Sequence, residues 1–376
     1  MYRQTVDVVK NDAISDGGAT ETYELESSGF LSYLDLYFPW SKDDSAADNI
    51  KGGIADYLTA IEVIGDSTDV IFSLDGRELA ALDFYMLGMP VTELRNEDAA
   101  SDNVLHMPLP FGRKLWDPEY ALDLSKWDLV ECNITYSDPE ATTGFDASES
   151  YITIREKFLR DYGGPVGYLK SYEMNDWNPS ANVSEKKLTF PKNHPIRMVM
   201  ISIELDAVAR TAAFAYEMGQ NVTNVKLTGN SGNLVFFDEE LLELMRQNED
   251  EFGLVQMGGV VQGDDADYFS TDLGYTLDGN ISIDDIAGGT TASMAVALSN
   301  FPENRLLIDE SNLAAAANLN WQARGYAYMT SAIFHFDQDL SMENLLDPEA
   351  LKDAQILYTT TQDDCKVRTC IQQVKT

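Results

Sequence analysis

The chain reads as an all-β protein made of two tandem antiparallel sandwiches. Three observations lead there. Strand-like apolar runs outnumber helical stretches, one segment of the first half recurs in the second, and 376 residues suit two domains at about 100–200 residues each. The recurrence carries most weight. Residues 58–75 read LTAIEVIGDSTDVIFSLD and residues 222–239 read VTNVKLTGNSGNLVFFDE. Aligned without a gap, Thr59 meets Thr223, Gly65 meets Gly229, Ser67 meets Ser231 and Phe72 meets Phe236. The pairs Ile61/Val225, Val63/Leu227, Val70/Leu234 and Ile71/Val235 keep apolar character in phase. Solenoid units span about 20–50 residues; the step from Gly65 to Gly229 is far longer and points to a duplicated domain. Gly65, Ser67, Gly229 and Ser231 are therefore expected in equivalent turns, with positive φ at the two glycines. Ile61, Val63, Phe72, Val225, Leu227 and Phe236 are expected to form equivalent core positions.

The elements follow in order. Residues 30–38, FLSYLDLYF, are dense in aromatic and aliphatic side chains and predict a strand. Residues 77–88 predict a short helix with Leu79, Leu82 and Met86 on one stripe, capping a sandwich. Residues 128–136, DLVECNITY, alternate apolar and polar with the period of a half-buried strand. Parts of 196–205 and 326–336 do the same, residues 240–252 predict a second helix, and 341–355 a third that holds Pro348. Gly, Pro, Asn and Asp clusters punctuate the strands at 39–53, 137–147, 163–167, 175–195 and 257–290. The stretches 90–110 and 255–300 read as loops longer than ordinary connections, the kind that commonly bind or work. The polar segment 173–187, broken by Pro179, reads as the linker between halves. About 180 residues of antiparallel strands close naturally as a two-sheet sandwich or jelly roll, which protects sheet edges.

Composition excludes several functions. There are 63 acidic residues against 26 basic, a net charge of −37, so direct packing on a nucleic-acid backbone is disfavoured. The acids are spread along the chain, which suits salty surroundings or high local concentration. No apolar run reaches the ~18–20 residues of a membrane span, and the first eighteen residues hold no apolar core of an export signal. Cys132 alternates with Val130 and Ile134 as a small core residue, while Cys365 and Cys370 read as unpaired thiols on a strand. A jelly-roll metalloenzyme needs several converging histidines, but His106, His194 and His335 are scattered; no cofactor or catalytic residue is assigned. The sequence around 229–232, GNSG, is not a nucleophile elbow, because its counterpart GDST marks a turn. Asp278, Asn280, Ser282 and Asp284 alternate as in a calcium loop, with Asp264, Asp265 and Asp267 nearby. Ile283 stands where the turn glycine belongs and Gly289 where the bidentate Glu belongs, so a solvated acidic loop is the preferred reading. The tryptophans at 40, 116, 127, 177 and 321 could line a sugar-binding surface, though core and interface packing explains them better.

Two features carry a resemblance. Each half has a strand–turn–strand–helix unit, IEVIGDSTDVIFSLDGRELAAL and VKLTGNSGNLVFFDEELLEL. The first half then has Pro110-Phe111, Ala121-Leu122 and a closing strand over Asp128–Tyr136. This arrangement, with the duplication and size, resembles the double jelly-roll major capsid proteins of tailless icosahedral viruses, the lineage of bacteriophages, the adenovirus hexon and large eukaryotic DNA viruses. The resemblance implies two tandem eight-stranded antiparallel jelly rolls with short helices in the loops. It implies an N-terminal arm over 1–22, a first jelly roll over 23–175, a linker over 176–187, a second jelly roll over 188–340 and a C-terminal extension over 341–376. It further implies a homotrimer that tiles a virion shell as a pseudo-hexagon, outer loops forming towers, and partners among neighbouring capsomers and minor or penton proteins. Assembly in the host cytoplasm and an inward arm, facing a membrane or internal proteins, belong to the same picture. A carbohydrate- or receptor-binding spike and a cupin-like metal enzyme are the competing readings.

Overall fold

The computed structural model describes residues 1–42, 53–94, 102–137, 145–180, 184–205, 218–263, 268–270, 273–284, 295–298, 306–309, 317–337, 340–361 and 365–376. Sixteen principal strands fall into two sets of eight. The first set is β1 (Tyr2–Ala13), β2 (Ala19–Glu24), β3 (Phe30–Lys42), β4 (Leu58–Gly65), β5 (Asp69–Leu74), β6 (Asp102–Pro110), β7 (Val130–Tyr136) and β8 (Tyr151–Arg160). The second is β9 (Tyr168–Trp177), β10 (Ser184–Thr189), β11 (Ile196–Leu205), β12 (Val222–Gly229), β13 (Leu234–Glu239), β14 (Ser331–His335), β15 (Gln355–Thr360) and β16 (Cys365–Lys375). Helix α1 (Gly76–Leu87) follows β5, and α2 (Leu241–Phe252) follows β13.

Within the first set the sheets run β1-β8-β3-β6 and β2-β7-β4-β5; within the second, β9-β16-β11-β14 and β10-β15-β12-β13. Adding eight to every strand number turns the first pattern into the second. This is jelly-roll order, so each set is one complete jelly roll. The match reaches irregularities: β1 slips against β8 between Asp7 and Val9, and β9 slips against β16 between Glu173 and Asn175. Both bulges follow the sixth paired residue, as inherited rather than accidental features do.

Alternation builds the cores. In β7 every second residue is buried, placing Val130, Cys132, Ile134 and Tyr136 inward. Opposite them stand Leu34, Leu36, Phe38 and Trp40 of β3, none with measurable exposure. Each such side chain contributes roughly 1.5–3 kcal/mol through burial. In the second unit Val199, Ile201 and Ile203 of β11 face Val225, Leu227, Ile356 and Tyr358. The first core does not stop at the unit boundary, because Met198, Met200, Ile333 and Cys370 belong to it as well.

The repeated hairpins occupy corresponding places, β4–β5 and β12–β13, but their turns differ from the expected ones. The left-handed residues are Asp66 (φ 48°) and Ser67 (φ 60°) in one copy, Asn230 (φ 52°) and Ser231 (φ 57°) in the other. Gly229 is extended at φ −135°, and Gly65 is not among the positive-φ residues. The glycines serve close approach instead. A Cβ on Gly65 would lie 2.3 Å from Trp127 Cδ1, and one on Gly229 would lie 3.1 Å from Leu351 Cδ1. Asp66 accepts from the amides of Asp128 (2.9 Å) and Leu129 (3.1 Å), while Asn230 accepts from that of Lys352 (3.1 Å). Each turn is thus tied to the loop that precedes its own seventh strand.

The second turn is one residue longer. Three residues separate Gly65 from its partner Asp69, and four separate Gly229 from Leu234. Val63 therefore pairs Phe72, whereas Leu227 pairs Phe237, not Phe236. Phe237 is 6% exposed and takes the core place; Phe236 is a half-buried bulge residue packed on Phe336, ring centroids 5.7 Å apart. Ile61, Val63 and Phe72 lie in the first core, Val225 and Leu227 in the second.

Strand pairing also redraws the expected boundaries. The supposed arm over 1–22 holds β1, paired along β8, and β2, paired along β7. Residues 168–177, placed by sequence in the first jelly roll and the linker, form β9, the opening strand of the second. The supposed extension over 341–376 carries β15 and β16, without which neither sheet of the second jelly roll closes. No helix forms over 341–355, where Pro348 interrupts and the backbone runs in turns. We assign the first jelly roll to Tyr2–Arg160 and the second to Tyr168–Lys375.

Candidate assembly interface

The two units meet edge to edge. Strand β5, the free end of a first-unit sheet, pairs in parallel with β9, with Ser171 opposite Phe72 and Tyr172 opposite Ser73. Two four-stranded sheets thereby become one eight-stranded sheet. The backbone contact is short, and side chains extend it. Asp69 binds Lys375 Nζ at 2.8 Å and accepts from Trp127 Nε1 at 3.1 Å, with Lys170 Nζ 4.0 Å away. Burial raises the Asp69 carboxyl, but its bonds to Lys375 outweigh that and hold it below the usual value.

A denser cluster lies at the start of α1. Asp75 caps the helix by accepting from the Glu78 amide at 2.7 Å, and Glu78 returns a bond to the Asp75 amide at 3.0 Å. Arg368 of β16 reaches across from the second unit to bind Asp75, and Glu204 at 2.7 Å. Glu78 is fully buried and accepts from Cys370 Sγ at 3.1 Å. Burial, then the nearby Glu173, pushes its carboxyl up to about 8, so it is largely protonated at neutral pH. Further along α1, Arg77 Nη2 donates to Thr330 at 3.3 Å and Tyr85 donates to the Ser331 carbonyl at 2.5 Å. Phe252 of α2 packs edge-on against Tyr85, centroids 5.2 Å apart. Parallel strands, ion pairs and both helices make the units one body.

The segment after α2 is an insertion. Strands Val255–Gly263, Leu273–Asp284 and Ala317–Tyr328 form one small sheet, and Tyr268–Ser270, Ala295–Leu298 and Leu306–Asp309 another. The candidate cation positions Asp278, Asn280, Ser282 and Asp284 lie in this insertion as alternate residues of a paired strand, opposite Arg324, Gln322, Asn320 and Asn318. Their backbone serves a sheet ladder, so the residues are not arranged as a calcium loop. Asp264, Asp265 and Asp267 lie outside the described residues. Part of the other long stretch expected as a loop, 102–110, is β6.

The histidines are dispersed. His106 is paired with Asp35, His335 Nδ1 lies 3.3 Å from Glu251, and His194 stands in the turn before β11. Among the described residues no three His, Cys, Asp or Glu side chains gather as a metal ion requires. Cys132, Cys365 and Cys370 are buried free thiols. Trp40 is fully buried against Phe145, and Trp127 closes over Gly65. No helix among the described residues is long and apolar enough to cross a membrane.

No protein-family model and no curated protein matches this sequence. Solved structures match its fold. The crystal structure of the STIV MCP, from the Sulfolobus turreted icosahedral virus, is 10% identical with TM-score 0.63, over 100% of this chain and 97% of that one. The major capsid protein P2 of bacteriophage PM2 is 8% identical, TM-score 0.53, over 100% and 98%. The PBCV-1 virus capsid chain is 8% identical, TM-score 0.56, over 99% and 93%. At such identities the likeness concerns fold: the chain is a double jelly roll with an insertion in its second unit.

Proposed function

We propose that this chain is a structural major capsid protein, three copies of which form a pseudo-hexagonal capsomer in the shell of an icosahedral virus. The observation that carries the proposal is the rigid junction of two equivalent jelly rolls, β5 against β9, in a fold shared over its whole length with solved capsid proteins. Two fused units per chain turn a threefold ring into six similar positions, and closed symmetric rings are the common form of soluble oligomers. The insertion between α2 and β14 would stand as a tower on the outer face. Neighbouring capsomers and minor or penton proteins would be its partners. No reacting side chain is required, since the work is shape and burial between chains. The net charge of −37 keeps the surface from binding a nucleic-acid backbone.

Sedimentation in concentrated salt tests this. A discrete trimer is expected, and electron microscopy of such samples should show hexagonal particles. A protein that remains monomeric at every concentration and salt level would end the proposal.

A further inference from the structure

The same strand has opposite surroundings in its two copies. In the first unit β5 is covered by β9; in the second, the equivalent β13 is a sheet end with no further strand beside it among the described residues. Strand β9 is covered by β5, while its equivalent β1 is likewise a sheet end among the described residues. The matching bulges fix the correspondence: Tyr2 with Tyr168, Thr5 with Ser171, Val6 with Tyr172. The hairpins match Asp69 with Leu234, Phe72 with Phe237 and Ser73 with Asp238.

Exposure follows this pattern. Tyr168 is 1% exposed and Tyr2 58%. Leu234 and Val235 are 39% and 48% exposed, among the few large apolar side chains that face solvent. Carrying the junction register over, Thr5 falls opposite Phe237, and three residues back Tyr2 falls opposite Leu234. The exposed apolar residues of the two open edges thus face one another.

We propose that the β13 edge of one chain binds the β1 edge of a second copy in parallel, continuing sheet β10-β15-β12-β13 into β1-β8-β3-β6 of its neighbour. The proposal rests on the capsomer reading above and specifies its contact surface. Edge strands with unpaired backbone groups are ready templates for such addition. The occupant is a second copy because the internal junction supplies the template: what covers β5 is the opening strand of a jelly roll, and among the described residues the other opening strand, β1, has an unpaired edge. Charge agrees. Asp69 with Lys375 and Lys170 at the internal junction gives way to Leu234 with Tyr2, which adds no anion to an acidic contact. Asp7 and Asp238, near the new seam, already hold cations of their own chain, Arg155 at 3.2 Å and Lys226 at 2.6 Å. An open groove of about 850 Å³ beside β13, lined by Phe236, Phe237, Leu244 and Phe334, would lie next to the incoming strand.

The test is a Tyr2→Cys/Leu234→Cys double variant, oxidised in concentrated salt and run without reductant. The native thiols are buried, so covalent dimers and trimers are expected from the double variant and from neither single one. A protein that sediments as a trimer yet forms no such bond overturns the assigned edges and leaves the capsomer reading standing. Self-linking of either single variant overturns them too, and a protein monomeric throughout overturns both. Independently, Val235→Asp should raise the concentration for half-assembly at least tenfold with monomer melting unchanged; unaltered assembly contradicts the proposal.

Discussion

Glu78 sets a pH dependence at the level of one residue. Its carboxyl is raised from 4.5 to about 8, and Glu156, also buried, is raised from 4.5 to about 7. Asp83, in the middle of α1, is pushed well up by burial, and its oxygens find no hydrogen-bond partner among the described residues. A raised carboxyl means that the folded chain holds protons the unfolded chain has released. Stability is therefore undiminished below about 4.5 and falls as pH rises towards 8. At the acid end the sign reverses. Burial raises Asp35, but His106 and Lys157 outweigh it and hold it at about 2, so its contribution is present above 3.8 and lost as pH falls through 2. The expected optimum lies in mildly acid solution. Glu78→Gln should flatten the decline on the alkaline side, with a gain on the order of 1–3 kcal/mol near pH 9. Melting temperatures across pH check this; a wild-type curve level between pH 5 and 9 would contradict it. None of this is legible in sequence, because Asp75 and Arg368 meet from nearly opposite ends of the chain and leave no local pattern.

Gly65 lies under a rigid indole, Gly229 under the flexible end of a leucine. Gly65→Ala should cost about 1–3 kcal/mol through forced repacking, and Gly229→Ala under about 1 kcal/mol. Equal losses in thermal melts would disprove the distinction. Both hairpins and both following helices are legible in the sequence because they carry local periodicity. The single added residue in the second turn is not, since an ungapped comparison still aligns Phe236 with Phe72. The resemblance also implied an arm where β1 lies. YRQTVDVVKNDA places Val6, Val8 and Val9 inward but leaves Tyr2, Arg3, Gln4 and Thr5 exposed, and a strand covered on neither side of its edge looks like a polar tail. Conversely, Pro179 drew the linker too late, because proline marks a break without saying which unit owns the strand before it.

At the scale of the whole molecule, duplication and acidity act together. A net charge of −37 on each copy repels that of the next unless counter-ions screen it, with a Debye length near 10 Å at 0.1 M salt and about 3 Å at 1 M. Self-association should strengthen as salt is raised, in contrast to assemblies built on opposite charges. Sedimentation in a salt series checks this, and association that weakens or stays constant would refute it. The class was legible because it is a property of the entire sequence, and the duplication because one segment, 58–75, recurs at 222–239. The joining of two sheets into one was not, since a parallel contact of two residue pairs has no signature of its own.

The sheet order also governs how such a chain comes off the ribosome. Among the described residues the strand partner of β1 is β8, so Tyr2 must wait for Arg160 to be synthesised before it finds its place in the sheet. At about 5–20 residues per second, that delay lasts on the order of ten seconds or more. Over that interval the nascent segment is an unpaired β-former, and the alternation of Arg3, Asp7, Lys10 and Asp12 along it acts as a gatekeeper against aggregation.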